Sequence, residues 1–272
     1  LLVLIVGLIF RKRLNPVENT INVLMNGPSL AASIEEIRRS KHPSLAVNHF
    51  VNSPMFSKFR PKYYLVQDGY FWQQDVLPEY LEKQKNFFSA INELVEWPMI
   101  LYLPSFSNVE FVKSKITNEE ISIEVYNAGF FVLLHSNFDC YLKNTPWLFW
   151  LWRKNYIAPP PENVLVGALY SLYLGGCKHI KIYGADMSFF AKLQVNQKDN
   201  RVGIVQTHFY GKEFVPAFFD KQNRTCNSLS QELSKWSKVF YTFEIIAAFF
   251  KREDIKITNR SSFSFIDSFE RD

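Results

Sequence analysis

The sequence holds one histidine in a setting that suits proton transfer. His208 lies in the segment QTHFYG, which follows a polar stretch rich in Gln, Asn and Lys and is predicted to form a loop. Histidine changes its charge near neutral pH, so His208 could act as a general base or a general acid. Taken alone, the residue fits an ordinary surface histidine better. His49, at the end of a predicted strand, is a second candidate.

The segment NGPSL at residues 26–30 lies between a predicted strand and a predicted helix. Gly27 would let the backbone approach a ligand closely, and Ser29 is predicted to cap the helix, whose first N–H groups could hold an anion. The pattern predicts a phosphate site, although the same residue types occur in turns for geometric reasons alone. It is neither a GxGxxG motif nor a Walker loop, which excludes the common dinucleotide and P-loop patterns.

Asp186 ends a predicted strand, which is a frequent position for functional residues in open sheets. It could hold a ribose hydroxyl, orient a neighbouring group or cap the next segment. The sequence has no Asp-x-Asp pair, so no metal is predicted. The three cysteines show no CxxC spacing, so we predict neither a zinc site nor a disulfide framework and expect a reducing compartment.

The elements that position these residues alternate between short apolar runs and helical patterns. Buried strands are predicted at 22–25, 44–47, 63–66, 99–102, 129–134, 179–183 and 255–258, and helices at 164–174 and 229–250. Several strands end in polar residues that lead into a helix. The sequence therefore predicts an α/β fold with a Rossmann-like, mostly parallel sheet, helices on both faces, and functional residues at the strand ends.

Two segments do not follow this pattern. Residues 1–10 (LLVLIVGLIF) precede Arg11, Lys12 and Arg13, which predicts the cytoplasmic end of a membrane anchor; a buried first strand or a signal remnant is the alternative. We predict a separate segment at 1–16 and a single domain at 17–272. Within it, residues 107–161 are predicted to form a lid-like insertion, in which PWLFWLW is a core helix, a lid or a lipid-facing surface.

The charge pattern limits the choice of partners. The formal net charge is only +5, and no basic stripe is interleaved with exposed-looking aromatics. Nucleic-acid binding is therefore not predicted. The mild positive bias suits a small anionic substrate or an anionic membrane surface equally well.

Six segments in order resemble the bacterial sialyltransferases of glycosyltransferase family 42. They are VLMNGPSL, AVNHF, KYYLVQDGYFW, GGCKHIKIYGADMSFF, THFYG and IKITNRSSFSFIDSF, and they cover most of the chain outside 107–161. The pterin pyrophosphokinase-like family shares the beginning of this pattern, the strand followed by NGPSL, and the strand that ends in Gly-x-Asp. It is therefore the main alternative source of the likeness.

The resemblance implies an inverting, metal-independent transfer of an acidic sugar, of the sialic acid or Kdo type, from a CMP-sugar without a further cofactor. The acceptor would be a lipopolysaccharide, capsule or other lipid-linked glycan at the cytoplasmic face of the bacterial inner membrane, and the enzyme could form homo-oligomers. His208 would take the proton from the acceptor hydroxyl. The donor would be held by Asn26, Gly27, Ser29, Asn48, His49, Gln67, Asp68, Asn163, Asp186, Asn259, Ser261 and Ser262.

The sequence departs from the family pattern where the leaving phosphate would be stabilised. The family has two tyrosines shortly after the strand-end aspartate, but here Ser188 is followed by two phenylalanines, which cannot donate a hydrogen bond. Either Ser188, Tyr210 or Lys192 replaces them, or the leaving group is stabilised in a different way. Two other readings stay open: a pyrophosphokinase with Asp68 and Asp186 as metal ligands, and a non-catalytic membrane-associated relative.

Overall fold

The computed structural model describes residues 14–129, 146–208, 211–216, 218–220 and 225–271, and within 205–226 it describes the backbone only. The predicted anchor at 1–10, the predicted strand beyond residue 129 and Tyr210 lie outside these residues. So does the side chain of His208.

Seven parallel strands form the central sheet. In chain order they are β1 (Thr20–Leu24), β2 (Ser44–Val47), β3 (Tyr63–Leu65), β4 (Met99–Pro104), β5 (Ile121–Tyr126), β6 (His179–Tyr183) and β12 (Lys256–Asn259). Their spatial order is β12-β6-β1-β2-β3-β4-β5. β1 to β4 are almost wholly buried, as expected for strands covered on both faces. The α/β, Rossmann-like prediction is confirmed.

Helices cover both faces of this sheet. They are α1 (Ile34–Ser40), α2 (Phe56–Phe59), α3 (Pro78–Leu94), α4 (Val109–Lys115), α5 (Pro146–Arg153), α6 (Val164–Leu174) and α7 (Leu229–Arg252). Buried side chains of α1 to α4 form one apolar cluster with the sheet, and those of α5 to α7 form the other. α6 is buried from Leu165 to Leu172, in agreement with its apolar sequence on all sides. α7 begins with a capping box between Ser228 and Gln231.

Parts of the segment predicted as a lid-like insertion, 107–161, belong to the sheet and the core of the fold. Ile121–Tyr126 is the edge strand β5, paired with β4 along its whole length. In α5 the side chains of Leu148, Phe149 and Trp152 are buried in the core. The edge strand was missed because an edge strand carries polar residues, such as the exposed Ser122 and the half-buried Glu124, which binds Asn15.

A small antiparallel sheet follows β6. It consists of β7 (Leu193–Val195), β8 (Val202–His208) and β9 (Gly211–Pro216). A separate pair of antiparallel strands is formed by β10 (Phe218–Asp220) and β11 (Thr225–Cys226). The prediction of a loop at 206–211 is therefore wrong, since residues 206–208 belong to β8 and His208 pairs with Gly211. The pairing partner β9 provides backbone hydrogen bonds that the polar sequence did not reveal. Among the described helices, none is long and apolar enough to cross a bilayer.

Candidate functional site

The order in which successive strands are added to the sheet reverses between β1 and β6, although the two strands are parallel. From β1 the chain continues through β2 to β5 on one side, whereas β6 and β12 lie on the other side. Such a switch point opens a crevice at the carboxyl ends of the strands, where open α/β sheets bind ligands. Backbone hydrogen bonds join the two strands beyond their ends, from Met25 N to Tyr183 O (2.9 Å) and from Gly27 N to Gly184 O (2.8 Å).

Gly27 lies where there is no room for a side chain. A Cβ atom at this position would lie 2.3 Å from Oδ1 of Asp186 and 2.4 Å from the carbonyl oxygen of Gly184. The φ angle of Gly27 is −71°, which any residue can adopt. The glycine is therefore required because Asp186 and Gly184 lie so close to its Cα atom. The sequence suggested close approach to a ligand, whereas the neighbours that the structure shows belong to the chain itself.

The carboxylate of Asp186 closes the turn after β1. It is buried and accepts hydrogen bonds from the backbone N–H of Ser29 (3.1 Å) and from the Ser29 hydroxyl. The helical turn that begins here is a 3-10 helix, Pro28–Ser33, whose N-cap is Gly27, so the prediction that Ser29 caps an α-helix is wrong. A phosphate at the Ser29 N–H would have to compete with the Asp186 carboxylate.

Asn26, Asn48 and Asp68 form a polar row along the carboxyl ends of β1, β2 and β3, in which Asn48 and Asp68 are hydrogen-bonded to each other. The Asn26 side chain donates to Val47 O (3.1 Å). The Asn48 side chain accepts from Gln67 N (3.2 Å) and donates to Asp68 Oδ2 (3.0 Å). Asn48 has a φ of 47°, a left-handed conformation that Asn tolerates better than most residues. Asn26 and Asp68 are exposed and can reach a ligand.

Gln67 and Asn163 support the chain near this row. The Gln67 amide donates to Pro161 O (3.0 Å) and its oxygen accepts from the Tyr126 hydroxyl (3.3 Å). The Asn163 side chain accepts from Leu165 N (2.9 Å) and so caps α6. Gln67 and Asn163, which the resemblance implies as contacts of the sugar donor, therefore both lie at the loop before α6. There their side chains bind the backbone and hold it in place.

His49 follows the row directly and has a half-buried ring. It stacks on Tyr70 with ring centroids 5.7 Å apart, and its Nε2 shares a hydrogen bond with the Tyr70 hydroxyl. Nδ1 is buried and binds no described residue. Burial lowers the pKa of His49, and the positive charge of Lys83 lowers it further. The ring is therefore neutral at pH 7 and able to accept or donate a hydrogen bond.

The predicted cytidine contacts lie at the end of β12. Asn259 is buried and donates to Ser264 Oγ (3.0 Å), while the Ser261 hydroxyl accepts from Ala185 N (2.9 Å). Ser262 is exposed, and its hydroxyl donates to Ser29 O (3.3 Å). These bonds tie the ends of β12 and β6 to the turn after β1. Only Ser262 presents an exposed side chain to a ligand.

The segment after Asp186 forms an aromatic surface. Ser188 is half-buried and begins a short 3-10 helix, Phe189–Lys192. The Phe189 ring is 56% exposed and stacks on Trp236 at a centroid distance of 6.1 Å. Sequence reasoning missed Trp236, and it also missed Tyr70 beside His49. An aromatic residue gives no local signal of the partner on which it will stack.

The described residues define an α/β protein with a Rossmann-like sheet and a row of polar side chains at the carboxyl ends of β1, β2 and β3. Among them, no group of three or more His, Cys, Asp or Glu side chains could hold a metal ion. A scan against protein-family models found no match, and a search of curated proteins found no similar sequence.

Proposed function

We propose that this protein is a glycosyltransferase that binds a nucleotide sugar in the crevice at the carboxyl ends of β1, β2, β3 and β6. One observation supports this most directly: the polar row of Asn26, Asn48 and Asp68 runs across three adjacent strand ends beside the switch point. Amide and carboxylate groups in this position suit ribose hydroxyls and the polar edge of a base.

Asn26 and Asp68 are the groups we assign to direct donor contacts. The Asp68 carboxylate accepts a hydrogen bond from the Asn48 side chain and is exposed, and a carboxylate is an acceptor that suits a ribose hydroxyl. The Asn26 amide uses one N–H for Val47 O and keeps a second N–H for a phosphate oxygen. This second donor matters because Asp186 already binds the N–H of Ser29.

The CMP-linked acidic sugar and the chemistry rest on the sequence resemblance. In the proposed reaction the acceptor hydroxyl oxygen attacks the anomeric carbon, the bond from that carbon to the phosphate oxygen breaks, and CMP leaves with the bonding electrons. His208 takes the acceptor proton, and Ser188 or Tyr210 donates a hydrogen bond to the leaving phosphate. The acceptor is a cell-surface glycan or its lipid-linked precursor.

Isothermal titration calorimetry tests the donor site. CMP, CDP, UDP and GTP are titrated with and without Mg²⁺ into the protein, into Asn26→Ala and into the control Asn86→Ala, whose exposed side chain lies on α3. We expect metal-independent CMP binding that Asn26→Ala weakens by about tenfold, the loss of roughly one hydrogen bond to a charged group. Asn86→Ala should bind like the parent protein.

The other outcomes separate the alternatives. Binding of GTP that requires Mg²⁺ would favour a pyrophosphokinase, and binding of none of the four nucleotides would favour a non-catalytic relative. If CMP binds, turnover of CMP-sialic acid and CMP-Kdo is measured with His208→Ala. Equal turnover by the parent protein and this variant would remove His208 from the mechanism.

A further inference from the structure

α5 has an apolar face that the described residues leave uncovered. Leu148, Phe149 and Trp152 are buried, whereas the side chains of Trp147 and Trp150 are 48% and 46% exposed. These two tryptophans are three residues apart and so lie on the same side of the helix. An indole ring has a large apolar surface and one polar N–H, which suits it to the boundary between lipid and water.

α5 lies at the end of the molecule where the strands begin. The ring centroids of Phe149 and Trp152 each lie 5.3 Å from that of Phe249 in α7. The ring centroids of Phe249 and Tyr173 in α6 are 5.0 Å apart. Arg153 is paired with Glu253, the residue after α7 (Nε to Oε1, 2.9 Å). The C-terminal ends of α6 and α7 lead into the first residues of β6 and β12, so these contacts place Phe149, Trp152 and Arg153 near the beginning of those two strands, away from the switch point.

The described chain begins at the same end of α6. Val17 N donates to the carbonyl oxygen of Gly175, the C-cap of α6, and Leu14 is buried in the core. In the sequence, Leu14 directly follows the apolar residues 1–10 and the basic residues 11–13. The segment that the sequence predicts to be a membrane anchor is therefore joined to the fold near α5.

The charges around α5 favour an anionic surface. Lys154 and Arg252 are exposed, and the Arg252 guanidinium lies 5.1 Å from the Phe149 ring centroid. The acidic residues beside them are Glu253, which is paired with Arg153, and Asp254. The basic residues 11–13 add three further positive charges next to Leu14. Basic residues close to an anionic lipid surface each contribute about 1 kcal/mol to binding.

We propose that α5 docks on an anionic phospholipid bilayer through Trp147 and Trp150, with Lys154 and Arg252 contacting the lipid headgroups. The face does not need to insert a helix across the membrane, because two indoles and two cations can hold it at the interface. In this orientation the crevice at the opposite edge of the sheet points into the aqueous phase. The proposal does not depend on the identity of the donor nucleotide.

Tryptophan fluorescence of the full chain with lipid vesicles tests the docking. The vesicles contain phosphatidylglycerol and phosphatidylcholine whose acyl chains carry bromine, which quenches nearby indoles. We expect quenching of the parent protein and at least about a twofold smaller quenched fraction in the Trp147→Phe/Trp150→Phe double variant, because interfacial indoles lie close to the acyl chains. Trp236→Phe, at the crevice end, is the matched control and should be quenched like the parent.

A second arm tests the charges. Lys154→Gln/Arg252→Gln should bind phosphatidylglycerol vesicles several-fold more weakly than the parent, and the difference should vanish on vesicles of phosphatidylcholine alone. Equal quenching of the parent and the double tryptophan variant would show that only another segment touches the lipid and would overturn the proposal. Absence of quenching in the parent would overturn it as well, and would leave a protein partner as the occupant of this face.

Discussion

The Asp186 carboxylate accepts two hydrogen bonds from Ser29, a residue 157 positions earlier in the chain. The bonds join the segment after β6 to the turn after β1, at the switch point where the order of the strands in the sheet reverses. In this position Asp186 satisfies a backbone N–H that helix geometry leaves without a partner. The acidic group therefore stabilises the turn after β1, and the proposed donor contacts are the exposed residues around it.

Replacing Asp186 tests this interpretation. Asp186→Asn removes the charge from a buried pair of hydrogen bonds and should lower the free energy of unfolding by about 1.5–3 kcal/mol, the range for hydrogen bonds to a charged group. Urea unfolding measures the change, with the exposed Asp267→Asn as control. Equal unfolding midpoints of the two variants would contradict a stabilising role for Asp186.

Gly27→Ala should be destabilising, because the new Cβ atom would lie 2.4 Å from a backbone oxygen that cannot rotate away. Overpacking of this kind costs about 1–3 kcal/mol. Gly69→Ala is the matched control, since its Cβ atom would meet only the flexible side chain of Gln73, at 3.0 Å or more. Thermal unfolding should separate the two variants, and similar melting temperatures would argue against close packing at Gly27.

The conformation of Asn48 and its hydrogen bonds can be separated by two substitutions. Asn48→Gly tolerates the left-handed backbone conformation but loses the side-chain bonds to Gln67 and Asp68. Asn48→Ala loses the same bonds and also places a Cβ atom in the left-handed conformation. We expect the alanine variant to be less stable than the glycine variant by about 1 kcal/mol, the cost of a left-handed backbone at a residue with a Cβ atom. Urea unfolding gives the difference. CMP binding should weaken similarly in both variants, since each removes the Asn48 hydrogen bond to Asp68.

His49 should make the stability of the protein depend on pH. Its pKa is lowered from the usual 6.5 by burial and by Lys83. Between 6.5 and the lowered pKa the unfolded chain binds more protons than the folded one, so the free energy of unfolding falls as the pH drops below 6.5. The loss stops once the pH is below the lowered pKa.

Unfolding in urea between about pH 8 and about pH 5 measures this dependence across the range in which histidine titrates. His49→Gln cannot titrate at this position and should show a flatter profile than that of the parent. A His49→Gln profile as steep as that of the parent would assign the dependence to other groups.

The strands were predictable because buried parallel strands are short, continuous apolar runs that end in polar residues. β2 and β6 were predicted with the bounds observed, and so was α6. The same rule failed for β5, whose outer side faces solvent, and for β8, whose polar residues pair in a hairpin. An edge strand or a hairpin needs a partner strand to be stable, and that partner is not visible in the local sequence.

The sequence by itself determined the fold class and the polar residues at the strand ends, because both follow from local patterns of apolar and polar side chains. Only the tertiary structure decided what those polar residues do. It assigned Asp186 to Ser29, Gln67 to Pro161 and Ser261 to Ala185, and it left Asn26 and Asp68 exposed. Each choice depends on which groups distant in sequence come within hydrogen-bonding distance, and that is settled only when the strands take their order in the sheet.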